Sequence, residues 1–99
     1  MKPEPNEKQV VMGLAWYRAD QWPRLRAISE DRDQLELNHE EWLRTASERF
    51  EDLRRQGQQV QKVEVDVEDL LKWCRTQGLP LNSSTRAQYA AQRLRNSSS

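Results

Sequence analysis

Hydrophobic positions along this chain change period several times, and each change marks an element. Val10 to Tyr17 is an apolar, partly β-branched run that turns polar at Arg18. Its second half, Leu14 to Tyr17, is expected to be a short strand. Asp20 has the character of a helix N-cap, and Pro23 falls in the first turn, where a missing N–H does no harm. Trp22, Leu25 and Ile28 follow at three-residue spacing, one face of a short helix.

Ser29 to Gln56 carries the strongest helical period. Leu35, Trp42, Ala46, Phe50 and Leu53 share one stripe, and Glu40–Arg44 and Glu51–Arg55 are i,i+4 pairs in the favoured order on the other side. Leu37 points off the stripe, and Asn38 with Glu41 has the form of a capping pair. A break near Leu37 follows, with the main helix starting at about residue 38. Gly57 supplies a C-terminal stop.

Val63, Val65 and Val67 alternate with Glu64, Asp66 and Glu68, which predicts a half-buried strand. Asp66 can also cap a following helix whose inner face is Val67, Leu70, Leu71 and Cys74. Gly78 then Leu79 is the Schellman pattern, with Leu79 expected to pack back on Cys74. Asn82 or Ser83 caps a last helix with Ala87, Ala90, Ala91 and Leu94 inward. The fold class is therefore α+β, predominantly helical, with four helices and two short strands in the order β-α-α-β-α-α. Two strands alone are marginal in water, so the helices must cover them. If the strands run parallel, their connection is right-handed.

Composition qualifies this picture. Of 99 residues, 35% are hydrophobic, and mean hydropathy is −1.07. Four tryptophans (Trp16, Trp22, Trp42, Trp73) make up for few aliphatics, since each buries a large apolar area. Residues 10–95 are expected to form one small globular domain. Segments 1–9, with Pro3 and Pro5, and 96–99, Asn-Ser-Ser-Ser, are expected to be disordered tails. No apolar run approaches a membrane span, and no apolar stretch follows a basic one as in an export signal. With one cysteine, this points to a cytoplasmic protein without intrachain disulfides.

Net charge is zero, yet the charges segregate. Residues 30–52 are strongly acidic, while after Asp69 only Lys72, Arg75, Arg86, Arg93 and Arg95 remain. The economical expectation is that the basic C-terminal part packs near the acidic helix. The sharper one is a bipolar surface for a partner or a second copy.

Few residues suggest chemistry. His39 lies in the apolar stripe with no partner motif and suits a packed or capping role. Cys74 is expected to be a buried structural thiol. Alternation puts Glu64, Asp66 and Glu68 on one strand face, a conceivable cation site, but a solvated face plus a helix N-terminus explains them without metal. The helix pair around Gly78 invites a helix-turn-helix interpretation with Ser84, Thr85, Arg86 and Gln88 as contacts. The long connection and a pI of 6.6 weigh against it.

Trp16-Tyr17 before Asp20-Gln-Trp22, Ser29-Glu-Asp-Arg-Asp33 and Glu40-Glu-Trp-Leu43 together resemble a family of small bacterial proteins of unassigned activity. So do Gly57, Val63-x-Val65-x-Val67, Leu70-x-x-Trp73-Cys74, Gly78 and Arg86-Ala-x-Tyr89. The resemblance covers residues 13–94. It implies a bacterial cytoplasmic domain, and no catalytic residue or cofactor comes with it.

The expectation is a small cytoplasmic, non-enzymatic protein-interaction domain able to self-associate, with no cofactor, metal or small-molecule ligand identifiable. Its candidate surface is Trp16, Tyr17, Trp73, Arg86, Tyr89 and Arg93. The alternative is a weak nucleic-acid-binding regulator using Arg86, Gln88, Arg93 and Arg95 of the basic C-terminal helix.

Overall fold

Two strands distant in sequence pair in parallel and organise the chain. The computed structural model describes residues 11–97, with the side chains of residues 11–96. The elements are β1 (Met12–Trp16), α1 (Trp22–Ile28), α2 (His39–Arg55), β2 (Val60–Glu64), α3 (Val67–Gln77) and α4 (Ser83–Ser97), with 3-10 turns at Ala19–Gln21 and Arg32–Gln34. This is the expected order, in an α+β and mostly helical fold. The expected tail at 1–9 lies outside the described residues. At the other end α4 continues to Ser97, past the expected limit at 95.

Register sets the two faces of the sheet. Met12 lies opposite Val60 and Trp16 opposite Glu64. Side chains alternate, so Gly13, Ala15 and Val63 share one face, and Leu14, Trp16 and Lys62 the other. The first face meets α4. A Cβ placed on Gly13 would lie 3.0 Å from Val63 Cγ2 and 3.3 Å from both the Ala90 carbonyl and Leu94 Cδ2. Glycine here lets helix and strand approach closely. Tyr17, Trp22, Leu25, Val63, Val65, Val67, Leu70, Cys74, Leu81, Tyr89, Ala90 and Leu94 form the core on this side.

The second face carries only α2, and α2 has no buried residue. Its stripe touches the sheet through aromatics. The rings of Trp16 and Trp42 lie 5.2 Å apart, and those of Trp16 and Phe50 6.2 Å. Lys62 Nζ sits 4.6 Å from the Trp16 ring and 4.9 Å from the Phe50 ring. This cation–π contact covers an otherwise open face.

Helix ends follow their local signals. Asn38 Oδ1 accepts from the Glu41 N–H, at the expected break, and Leu37 is 72% exposed. Asp66 Oδ1 accepts from the Asp69 N–H. Asn82 Oδ1 accepts from Thr85 N while Asn82 N donates back to Thr85 Oγ1, a reciprocal cap. Gly57 and Gly78 both have positive φ, 87° and 69°. The bonds Gln58 N to Leu53 O and Leu79 N to Cys74 O complete Schellman turns at each.

Several expectations are corrected. Asp20 does not cap α1. The cap position is Gln21, and Asp20 accepts from Arg18 in an exposed pair. Pro23 sits in the first turn as expected. The second strand is Val60–Glu64, not 63–67, because Asp66 caps α3 and Val67 opens it. Both geometries turn Val63, Val65 and Val67 inward. The inner face of α4 is Arg86, Tyr89, Ala90 and Leu94, while Ala87 is exposed. On α2 the arginines reach back three residues, Arg54 to Glu51 and Arg55 to Asp52, in place of the expected Glu51–Arg55 pair. Leu79 makes the Schellman bond, but its side chain is partly exposed.

Gly13→Ala forces its new methyl against Val63 and the α4 backbone. It is expected to destabilise the fold by about 1–3 kcal/mol, measured by urea unfolding. Val63→Ala in the same background should recover part of the loss by relieving the closest contact.

Candidate functional site

One ion pair fixes the region between α1 and α4. Ser29, at the end of α1, and Asp31 just beyond it lie against Arg86 on the first turns of α4. Both terminal guanidinium nitrogens of Arg86, Nη1 and Nη2, donate to the Asp31 carboxylate at 2.9 Å, and Nη1 also reaches Ser29 Oγ at 3.2 Å. The Arg86 and Asp31 side chains are only 10% and 13% exposed. The hydrogen bonds from Arg86 hold the Asp31 carboxyl below the usual carboxylate range against the opposing effect of burial, with help from the Ser83 backbone N–H. Beside it, Glu30 N donates to Leu81 O, and Asn82 Nδ2 to Glu30 Oε2. The basic C-terminal part therefore meets acidic residues of the loop before α2, Asp31 through Arg86 and Glu30 through Asn82, in place of the expected acidic helix.

Aromatic residues continue from this anchor. Trp22 Nε1 donates to the Glu36 carbonyl at 3.0 Å, tying the loop before α2 to the core. His39 Nε2–H donates to the Tyr17 carbonyl at 2.7 Å, and its ring lies 5.1 Å from Trp42 and 6.3 Å from Trp22. It is packed at the start of α2, as expected, while the capping role belongs to Asn38. Burial raises the Tyr17 hydroxyl well above the ordinary tyrosine range, so it stays neutral.

Between α2 and α4 a groove of about 370 Å³ runs along β1. Residues 13–17, all consecutive, line it. Successive strand side chains point to opposite faces, so five in a row can border one groove only along a strand edge. Trp42, Thr45, Ala46 and Arg49 of α2 form one wall, Ser83, Arg86 and Ala87 of α4 the other, and Trp22, Leu35 and Glu36 close an end. None of β1 is buried. A parallel strand is ordinarily covered on both faces.

The expected surface residues divide. Trp16 borders the groove. Trp73 lies elsewhere, 5.4 Å from Tyr89, with its Nε1 donating to Gln92 Oε1. Arg93 is exposed on α4. Tyr17, Tyr89 and Arg86 are corrections, at 6%, 7% and 9% exposure. The two tyrosine rings complete the core, and Arg86 is withdrawn by its carboxylate. Thr85 is likewise committed, donating to Pro80 O at 2.8 Å within its cap. The acidic trio does not share a face. Asp66 caps α3, and Glu68 pairs with Arg24 at 2.7 Å. Among the described residues no three metal-ligating side chains converge, and no helix there is long and apolar enough to cross a membrane. Cys74 is buried, as expected.

Sequence reasoning missed Asp31, Ser29, Arg49 and the edge of β1. Gly13 within an apolar run was the available signal for a close approach, and Ala46 and Ala87 were assigned to packing.

Arg86→Met leaves Asp31 charged and nearly buried, with an expected cost of about 3–5 kcal/mol. The double change Arg86→Met with Asp31→Asn should restore much of it. The depressed carboxyl means that the pair's stabilisation is complete above the unfolded aspartate value, about 3.9. It is lost as pH falls toward the folded value. Urea midpoints measured from neutral to acid pH should fall more for the native chain than for the double variant.

Comparison of the chain with protein-family profiles, with characterised proteins and with solved structures found no match.

Proposed function

We propose that this chain is a non-enzymatic protein-interaction domain of the cytoplasm, with the β1 groove as its contact surface. The carrying observation is the half-exposed apolar strand in a parallel sheet, left open beside a helix that buries no residue. Apolar surface of this kind, bounded by polar residues, is what partner surfaces present. The groups that could support chemistry are spent on structure: His39 on the Tyr17 carbonyl, Asp66 on a cap, Glu68 on Arg24, and Arg86 on Asp31. A reducing compartment agrees with one buried thiol, and a bacterial source with the family resemblance. The nucleic-acid alternative loses support because Arg86 and Thr85 are withdrawn from solvent.

Immobilised full-length protein should retain a defined set of proteins from host extract, unaffected by nuclease. Ala87→Arg, on the exposed groove wall, should reduce that set about tenfold while changing stability by less than about 0.5 kcal/mol. Retention that the variant leaves untouched would overturn the groove as the surface. Recovery of nucleic acid released by salt would favour the alternative.

A further inference from the structure

We propose that the groove is a strand-addition site. An extended segment of a partner polypeptide pairs with the free edge of β1, sets alternate side chains against α2 and α4, and offers a carboxylate to Arg49. This deepens the interaction proposal above and rests on it.

The direction of the β1 main chain carries the inference. Met12 N donates to Gln59 O at 2.8 Å, and Trp16 O accepts from Val65 N at 2.9 Å. In a parallel ladder, alternate residues turn both their N–H and C=O to the same neighbour. Met12, Leu14 and Trp16 therefore bond β2, while Gly13 and Ala15 turn theirs into the groove. Tyr17 belongs to the second series, and its carbonyl is met there by His39 Nε2–H. Among the described residues no comparable partner meets Gly13 or Ala15.

The two edges of the sheet are treated differently. The β2 strand carries Lys62 and Glu64, charges that discourage sheet extension. Met12–Trp16 has no charge, no proline and no bulge. It is flanked instead by the α2 and α4 walls of the groove. A second copy would have to bring its own α2 and α4 to the groove along with its strand, whereas a single extended segment brings none. The chain's own first residues include Pro3 and Pro5, which have no ladder donor. A helix laid in the groove has its main-chain groups already paired, and would leave those of Gly13 and Ala15 unmet.

The walls indicate the chemistry of the segment. Ala46 and Ala87 are small and leave room for apolar side chains from alternate positions. Arg49 borders the groove, is exposed, and has no ion-pair partner among the described residues. An acidic side chain fits there.

The test uses the full chain as bait for a displayed library of random linear peptides. Selected peptides should alternate apolar residues with at least one acidic residue. In amide exchange by NMR, synthetic copies should slow Gly13 and Ala15 by at least about tenfold. Ala15→Pro removes one edge donor without removing a β2 bond, and should weaken binding about tenfold or more. Arg49→Glu, at an exposed site, should do the same for acidic peptides. Exchange at Gly13 and Ala15 in the native chain needs no variant to fold. Peptides that protect other amides, or bind equally well to Arg49→Glu, would overturn strand addition while leaving the interaction domain standing. So would self-association seen by sedimentation with those two amides protected and no peptide recovered. Failure of both this selection and the extract experiment would overturn both proposals.

Discussion

The Arg86–Asp31 pair sets the geometry of everything around the groove. Fifty-five residues separate the two side chains in sequence, and their fork clamps the end of α1 to the start of α4. The loop held there leads into the Glu36 carbonyl that receives Trp22, and then into Asn38, which starts α2. Loosening the pair would free the loop that aims α2 across the sheet. A nearly buried charge pair gives little net stability over a hydrophobic equivalent. Its value here is directional, since the bidentate fork favours one orientation of α4 against the end of α1.

The small parallel sheet imposes the second constraint. Two strands cannot cover themselves, so each face needs helices. The α4 face is packed closely enough that Gly13 has no room for a side chain. The α2 face is held by the rings of Trp16, Trp42 and Phe50 and by Lys62. One face of the sheet is thus a close-packed core, and the groove opens at the β1 edge, between α4 and α2. The difference comes from side-chain size: Gly13, Ala15 and Ala90 draw α4 in, whereas Trp16, Trp42 and Phe50 hold α2 off.

Much of this was legible locally. Asn38, Gly57, Asp66, Gly78 and Asn82 each mark a helix end, because caps act through bonds spanning a few residues. The apolar stripe of α2 was legible too, though not how little of it would be buried. The Val63-Val65-Val67 alternation could not separate a strand from a strand followed by a capped helix, since both turn the valines inward. The phase of α4 was misjudged because hydrophobicity alone puts Ala87 inside and Arg86 outside. Only the distant Asp31 reverses that. The free edge of β1 was invisible for the same reason. Period-two alternation distinguishes faces, whereas which edge lacks a neighbour is decided by pairing across the chain.

The register that joins Met12 to Val60 also dictates an order of events during synthesis. Chains emerge N-terminus first, so β1 leaves the ribosome long before β2, its strand neighbour among the described residues, exists. Until β2 arrives, both edges of an uncharged apolar strand are bare. Meanwhile α2, with strong local caps, can already form. Pairing of non-local strands requires closing the intervening loop, which slows folding relative to helices of similar size. The native state therefore keeps one edge in a condition that the nascent chain must pass through with two, and of the two helices flanking β1 only α2 is made in time to shield it before β2 arrives.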